Sequence, residues 1–194
     1  ESSSSLRGVL KTSTSGDNLF IFLNGFPDIP QEFAPIISHL QKNKGVGSAD
    51  FWMVPLWGFN NNGQLLSCKI SEVADRIAHF ISSVAGNYKN VYLVGHDVGG
   101  MVGWYVASIL GKEVLSGFVT FTPHPSIFDM TLKNIPSARD VYFYKLMGPL
   151  VGSTFLAAND FEMLDDLFRN ETWWPEYYDD YHQSWDKLGA HALT

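Results

Sequence analysis

Apolar positions along this chain follow two alternating rhythms. Asn18 to Leu23 (Asn-Leu-Phe-Ile-Phe-Leu) is an almost unbroken apolar run stopped by Asn24-Gly25, the mark of a strand buried on both faces. Ala49 to Pro55 has the same character, Val91 to Val94 reads as a short strand, and Leu115 to Phe121 as another strand. Leu6 to Leu10 is a weaker candidate for an edge strand. Between these runs the period changes. Leu66, Ile70, Val73, Ala74, Ile77, Ala78, Ile81 and Val84 recur at three and four residues, one stripe of a helix that Gly86-Asn87 ends. Gln31 to Leu40 is weakly amphipathic, and Gly99 to Leu110 reads as a helix of small residues. A loop rich in Gly and Asn is expected from Trp57 to Gln64. Strands alternating with helices predict an α/β fold, a mostly parallel sheet with helices on both faces.

Beyond Pro123-His124-Pro125 strand signals vanish. Helices are expected around Arg139 to Met147, Asp160 to Phe168 and Glu176 to Leu188, a stretch crowded with Trp and Tyr. The chain therefore divides into a core, residues 1–125, and a helical segment, 126–194. A lid and further core-covering helices both fit the second part on pattern alone.

Composition narrows the class. The 194 residues suit one domain with an insertion, and 45% apolar against 17% charged residues supports an ordered core. The net charge of −7 is uneven: Asp160 to Lys187 holds nine acids and two bases, which is the whole imbalance. A nucleic-acid partner is not expected, since a phosphate-tracking surface is basic. The single cysteine, Cys68, excludes an internal disulfide framework and a Cys-cluster zinc site. Val91 to Gly111 approaches membrane-spanning length and contains Gly99-x-x-x-Gly103, but His96 and Asp97 fall inside it. Two elements joined by a tight turn explain it better. With neither a basic nor an apolar leader in Glu1 to Ser5, a soluble, cytoplasmic protein is expected. Asn170-Glu171-Thr172 matches a glycosylation triplet and is read as incidental.

Chemistry concentrates in Gly95-His96-Asp97-Val98-Gly99-Gly100, between a predicted strand and a predicted helix. A nucleophile elbow holds its central residue in a strained turn and needs small residues two before it and two and three after it. Gly95, Gly99 and Gly100 meet that need around Asp97. A phosphate cradle fits worse, because no lysine accompanies the turn and a carboxylate repels phosphate. Asn24-Gly25-Phe26-Pro27 follows the first buried strand, where a glycine turn can aim the Phe26 N–H toward the same crevice. With the N–H of Val98 it would make a two-donor oxyanion hole.

These motifs together resemble the epoxide hydrolases of the α/β-hydrolase superfamily. The family's HGFPD-type motif stands here as Asn24-Gly25-Phe26-Pro27-Asp28. Its elbow stands as His96-Asp97-Val98-Gly99-Gly100 and its PHP-type turn as Pro123-His124-Pro125. Its helical cap is similar to Tyr142 to Pro149, Ala158 to Phe161 and Gly189 to Thr194. The resemblance implies that Asp97 attacks an epoxide carbon to form an ester, which an activated water then hydrolyses. It also implies that Tyr142, with Tyr144 as its neighbour, hydrogen-bonds the epoxide oxygen. Phe26, Pro27, His96 and Tyr144 would line the site for a small hydrophobic substrate. No metal or organic cofactor is implied, and neither a membrane span nor an oligomeric state is read from the motifs.

Departures accompany the likeness. Asn24 replaces the family's His, so hydrogen bonding under the loop must differ. Val98 replaces an aromatic residue, and Leu56 to Asn60 replaces an acidic loop. The catalytic acid and the base His are expected beyond Thr194, so the cap and core here would be incomplete. Two alternatives follow. One is a haloalkane or haloacid dehalogenase-like enzyme with the same nucleophile, disfavoured because Val98 and Phe26 supply no halide donors. The other is a catalytically silent protein of this fold lacking the base His.

Overall fold

The structure, a computed structural model, describes residues 9–12, 16–26, 28–56, 69–121, 178–180 and 182–183. The chain divides into two units, Glu1–Pro125 and Ser126–Thr194. Pro27, Tyr142, Tyr144, the 123–125 turn, the 57–64 loop and the first two helices expected after residue 125 lie outside the described residues. Within the helix expected over 176–188, the described residues 178–180 and 182–183 are helical.

The first unit is built on a five-stranded sheet: β1 (Leu10–Thr12), β2 (Asn18–Leu23), β3 (Ala49–Val54), β4 (Asn90–Gly95) and β5 (Gly117–Thr120). The spatial order is β1-β3-β2-β4-β5, parallel except for β1, which runs antiparallel along β3. Three helices connect the strands: α1 (Ala34–Lys42), α2 (Ile70–Ala85) and α3 (Val98–Val114). The fold class read from the apolar rhythm is the fold observed.

Alternation within each strand sorts the core into two layers. Leu19, Ile21 and Leu23 of β2 join Trp52, Val54, Val91 and Leu93 beneath α2 and α3. Phe22, Phe51 and Met53 point the other way and pack with Phe33 and Ile37, on and just before α1. The α2 stripe buries Val73, Ala74, Ile77, Ala78 and Ile81, as its three-and-four spacing requires. On the α1 side, Phe20 stacks between Phe51 and Tyr92, with centroids 5.4 and 4.8 Å apart.

Boundaries differ from expectation in ways the backbone explains. Of the edge strand expected over Leu6–Leu10, residues 6–8 lie outside the described residues; the observed β1, Leu10–Thr12, takes its register from β3, with Leu10 facing Met53 and Thr12 facing Phe51. A 3₁₀ turn at Pro30–Phe33 precedes α1, with Pro30 at its first position, where a missing N–H costs nothing. Helix α3 continues past Leu110 to Val114 through Gly111, whose φ of 59° changes the chain direction there. The Gly99-x-x-x-Gly103 pattern serves the sheet: a Cβ on Gly103 would come within 2.6 Å of the Phe118 ring. Among the described residues no helix is long and apolar enough to cross a membrane.

At the amino ends of the strands, Asp50 is 6% exposed. Its carboxylate accepts hydrogen bonds from the Tyr88 hydroxyl at 2.8 Å and the Gly16 N–H at 3.3 Å. Burial, then the bond to Asp50, pushes the Tyr88 pKa up to about 12, so the phenol stays a donor across neutral pH. Tyr88→Phe is expected to lower stability by about 1–2 kcal/mol, measured as a lower urea midpoint at unchanged slope.

Candidate active site

The winding of the sheet locates the site. From β2 the chain moves outward to β3, then crosses back over β2 to reach β4 and continues the other way to β5. The loops after β2 and β4 therefore leave neighbouring strands in opposite directions and open a crevice at their carboxyl ends, where ligands bind in open α/β sheets. Leu23, the last residue of β2, pairs with Gly95, the last of β4. One further ladder bond, from His96 N–H to the Leu23 carbonyl at 3.1 Å, carries the pairing past the strand end.

The next residue breaks the strand. Asp97 has φ 48° and ψ −121°, and among the described residues it alone combines a positive φ with a side chain. Such backbone costs of order 1–3 kcal/mol and persists where its surroundings fix it. Here they are glycines. A Cβ on Gly99 would collide with the backbone carbonyls of Leu23 and Asn24, and one on Gly95 would lie 2.7 Å from the Gly100 Cα. The first turn of α3 thus seats directly on the end of β2. Met101 N–H closes the helix on the Asp97 carbonyl at 3.1 Å.

Asp97 occupies the N-cap position of α3 without a side-chain capping bond to the helix. Its Oδ1 accepts from the Phe26 N–H of the opposite loop at 3.1 Å. Gly25 makes room for this, because a Cβ there would sit 2.8 Å from the Asp97 Cβ. Val98 is the first residue of α3, so its N–H has no acceptor one turn earlier within the helix, and the local dipole favours an anion.

The loop that presents Phe26 is held from two sides. Asn24 is buried, 2% exposed, and its amide donates to the Gly25 carbonyl at 2.9 Å and the Asp28 carbonyl at 2.7 Å. The departure at Asn24 thus supplies a local clamp on its own loop. From outside, Glu32 accepts from the Gly25 N–H at 3.1 Å with one oxygen and meets His96 Nδ1 at 3.1 Å with the other. A carboxylate oxygen offers no proton, so Nδ1 carries the hydrogen. Asp28 approaches the same nitrogen at 3.8 Å.

The hydrogen bond to Glu32 is the largest cause raising the His96 pKa above its ordinary value; partial burial opposes it, while the charges of Glu32, Asp28 and Asp97 add to it. A raised pKa means this contribution to stability is full below about pH 6.5 and is lost as pH rises through the folded value. Asp28, Glu32 and His96 also bring ligand atoms within 4.8 Å of one another, close enough to meet around one cation. The Nδ1–H···Oε2 bond accounts for their closeness without one.

The structure thus brings Phe26, His96, Asp97 and Val98 together, while Pro27, Tyr142 and Tyr144 lie outside the described residues. Sequence reasoning missed Glu32. The one signal available was a lone acid in the short segment after the loop, which surface exposure would have explained equally well.

Comparison with known proteins agrees with this fold. A family model for the alpha/beta hydrolase fold matches residues 18–182. Epoxide hydrolase 4 of Mus musculus is 25% identical over 166 residues, which cover 81% of this chain and 43% of that protein. Its Homo sapiens counterpart gives 25% over 167 residues with the same coverage. The chain therefore spans less than half the length of these relatives. Among solved structures, a provisionally assigned epoxide hydrolase from Pseudomonas aeruginosa superposes with a TM-score of 0.70 at 14% identity, covering 95% of this chain and 63% of that one. MenH from S. aureus gives 0.59 at 14%, covering 95% and 69%. These two likenesses concern the fold alone. The chain belongs to the α/β hydrolase fold family.

Proposed function

We propose that this chain carries the nucleophilic half of an epoxide hydrolase. One observation carries the reading: a carboxylate stands at the apex of a strained strand-to-helix turn, with one oxygen already hydrogen-bonded to a backbone N–H across the crevice. A serine at that apex would suit ester hydrolysis through its hydroxyl. A carboxylate suits displacement at an electrophilic carbon, which yields an ester of the enzyme itself.

In this reading Asp97 Oδ2 attacks an epoxide carbon. The new C–O bond forms as the ring C–O bond breaks, and the electron pair goes to the epoxide oxygen. Tyr142, with Tyr144 as neighbour, is assigned to donate a proton to that oxygen, a role that rests on the motif likeness alone. Oδ1 remains as the ester carbonyl. When water adds to Cγ, negative charge develops on Oδ1, where the Phe26 N–H already donates and the Val98 N–H is the second candidate donor. Phe26, Pro27 and His96 would border a small hydrophobic substrate, and residues 126–194 are assigned as the family's helical cap on the motif likeness alone.

The hydrolytic step needs a base to activate water. Among the described residues of the first unit, His39 lies on α1, His79 lies on α2, and His96 turns to Glu32, while His124 lies outside the described residues. The first half-reaction is therefore the one to test. Incubation with an aromatic epoxide is expected to add one epoxide mass to the intact protein, mapped to the peptide containing Asp97. A chain extended to the length of its relatives is expected to release the diol. Neither adduct nor diol under these conditions would sink the reading.

A further inference from the structure

Glu32 lies outside both motifs that mark the site, on the 3₁₀ turn Pro30–Phe33. Its two carboxylate oxygens nevertheless reach two different segments, Oε1 to the Gly25 N–H and Oε2 to His96 Nδ1, each at 3.1 Å. Gly25 immediately precedes Phe26, whose N–H meets Asp97 Oδ1, and His96 immediately precedes Asp97. One side chain thus holds both segments one residue away from the pair they bring together.

We propose that Glu32 is a positioning residue: bridged between Gly25 and His96, its carboxylate keeps the Phe26 N–H aligned on Asp97 Oδ1, and the protonation of His96 sets how firmly it does so. The catalytic consequence rests on the reading of Asp97 as nucleophile. The bridge itself does not.

Two features make the bridge sensitive to protonation. The acids are the more sheltered members, with the Glu32 and Asp28 side chains 14% and 15% exposed against 42% for His96. The charged groups facing the imidazole are Glu32 from the turn, Asp28 from the loop and Asp97 from its own segment, all acidic. With His96 protonated, the Nδ1–H bond to Glu32 is charge-assisted at both ends. When His96 loses its proton the neutral ring can still donate through Nδ1, but the pull on Glu32 weakens. Alignment is therefore firmest below the His96 pKa and loosens as pH rises through it. Glutamine cannot make the same bridge to a protonated His96, because the amide has one acceptor oxygen for two donors and would turn its own N–H groups toward one of them.

The test uses the whole chain and nuclear magnetic resonance. The His96 ring is expected to titrate above 6.5, and the backbone amides of Gly25 and Phe26 are expected to shift with the same midpoint. Glu32→Gln should lower the His96 midpoint and remove the transition from both amides. His96→Gln should remove it while leaving Glu32 in place, which keeps the test decisive if one variant folds poorly. Amides that ignore the His96 titration in the unaltered protein, or retain it in Glu32→Gln, overturn the proposal. In a second arm, Glu32→Gln should slow ester formation with an aromatic epoxide by about 10- to 100-fold, the scale expected for small misplacement of a reacting group. If the unaltered protein forms no ester, that counts against the epoxide reading, while the amide resonances still decide the role of Glu32.

Discussion

Replacing Asp97 by asparagine is expected to slow ester formation with an epoxide by about 10⁴-fold or more, the scale seen when a covalent nucleophile is removed. The fold should survive. Asparagine tolerates positive φ better than most residues with a side chain, and its carbonyl oxygen can still accept from the Phe26 N–H. What disappears is the second carboxylate oxygen and its negative charge, since an amide nitrogen is not a useful nucleophile. Asp97→Ala should lose the same chemistry and also the bond to Phe26. The measurement is the intact mass over time, with the modified peptide identified and the melting temperature recorded for each variant. Peptide identification matters because Cys68 is a competing soft nucleophile. Labelling that continues at the original rate in Asp97→Asn places the reaction elsewhere on the chain.

The second large effect is on stability. Gly99→Ala is expected to destabilise the chain by about 3 kcal/mol or more, because the added methyl meets the backbone carbonyls of Leu23 and Asn24. Backbone cannot rotate aside as a side chain can. Relief would require lifting α3 off β2, which exposes the apolar contacts of Val102 and Val106, both fully buried. For a chain of this size the cost corresponds to a fall in melting temperature of roughly 10 °C. A melting temperature within about 2 °C of the original would show that the helix does not need this seat. The same lift would draw Asp97 away from Phe26, so reactivity should fall along with stability.

These two positions were legible in the sequence for one reason. An elbow states its steric demands locally, and Gly95, Gly99 and Gly100 answer them within six residues of chain. The buried strands were legible too, since Leu19, Ile21 and Leu23 alternate with Phe20 and Phe22 and both faces are covered. Phe26 could be placed by its position after β2, but its bond to Asp97 could not, because it joins residues 71 apart. Glu32 was invisible for the same reason. Its partners are fixed by the packing of a 3₁₀ turn against two strand ends, and no local pattern encodes that. Tyr88 and Asp50 illustrate the general case: an ordinary turn tyrosine and a buried strand acid become hydrogen-bonded partners only once the turn after α2 reaches β3.

The antiparallel β1 strand has a consequence of a different kind. It covers the outer edge of β3 with three residues, Leu10 to Thr12, and places Lys11 with its ammonium 4.0 Å from the Trp52 ring centre. A parallel sheet that ended at β3 would offer a full row of unpaired N–H and carbonyl groups to any passing chain. A strand this short, carrying a cation, offers too little regular backbone to template another. Among the described residues β1 thus shields Phe51 to Met53 of β3 from such pairing, and it does so with β3 and β2 between it and β4, which carries the elbow.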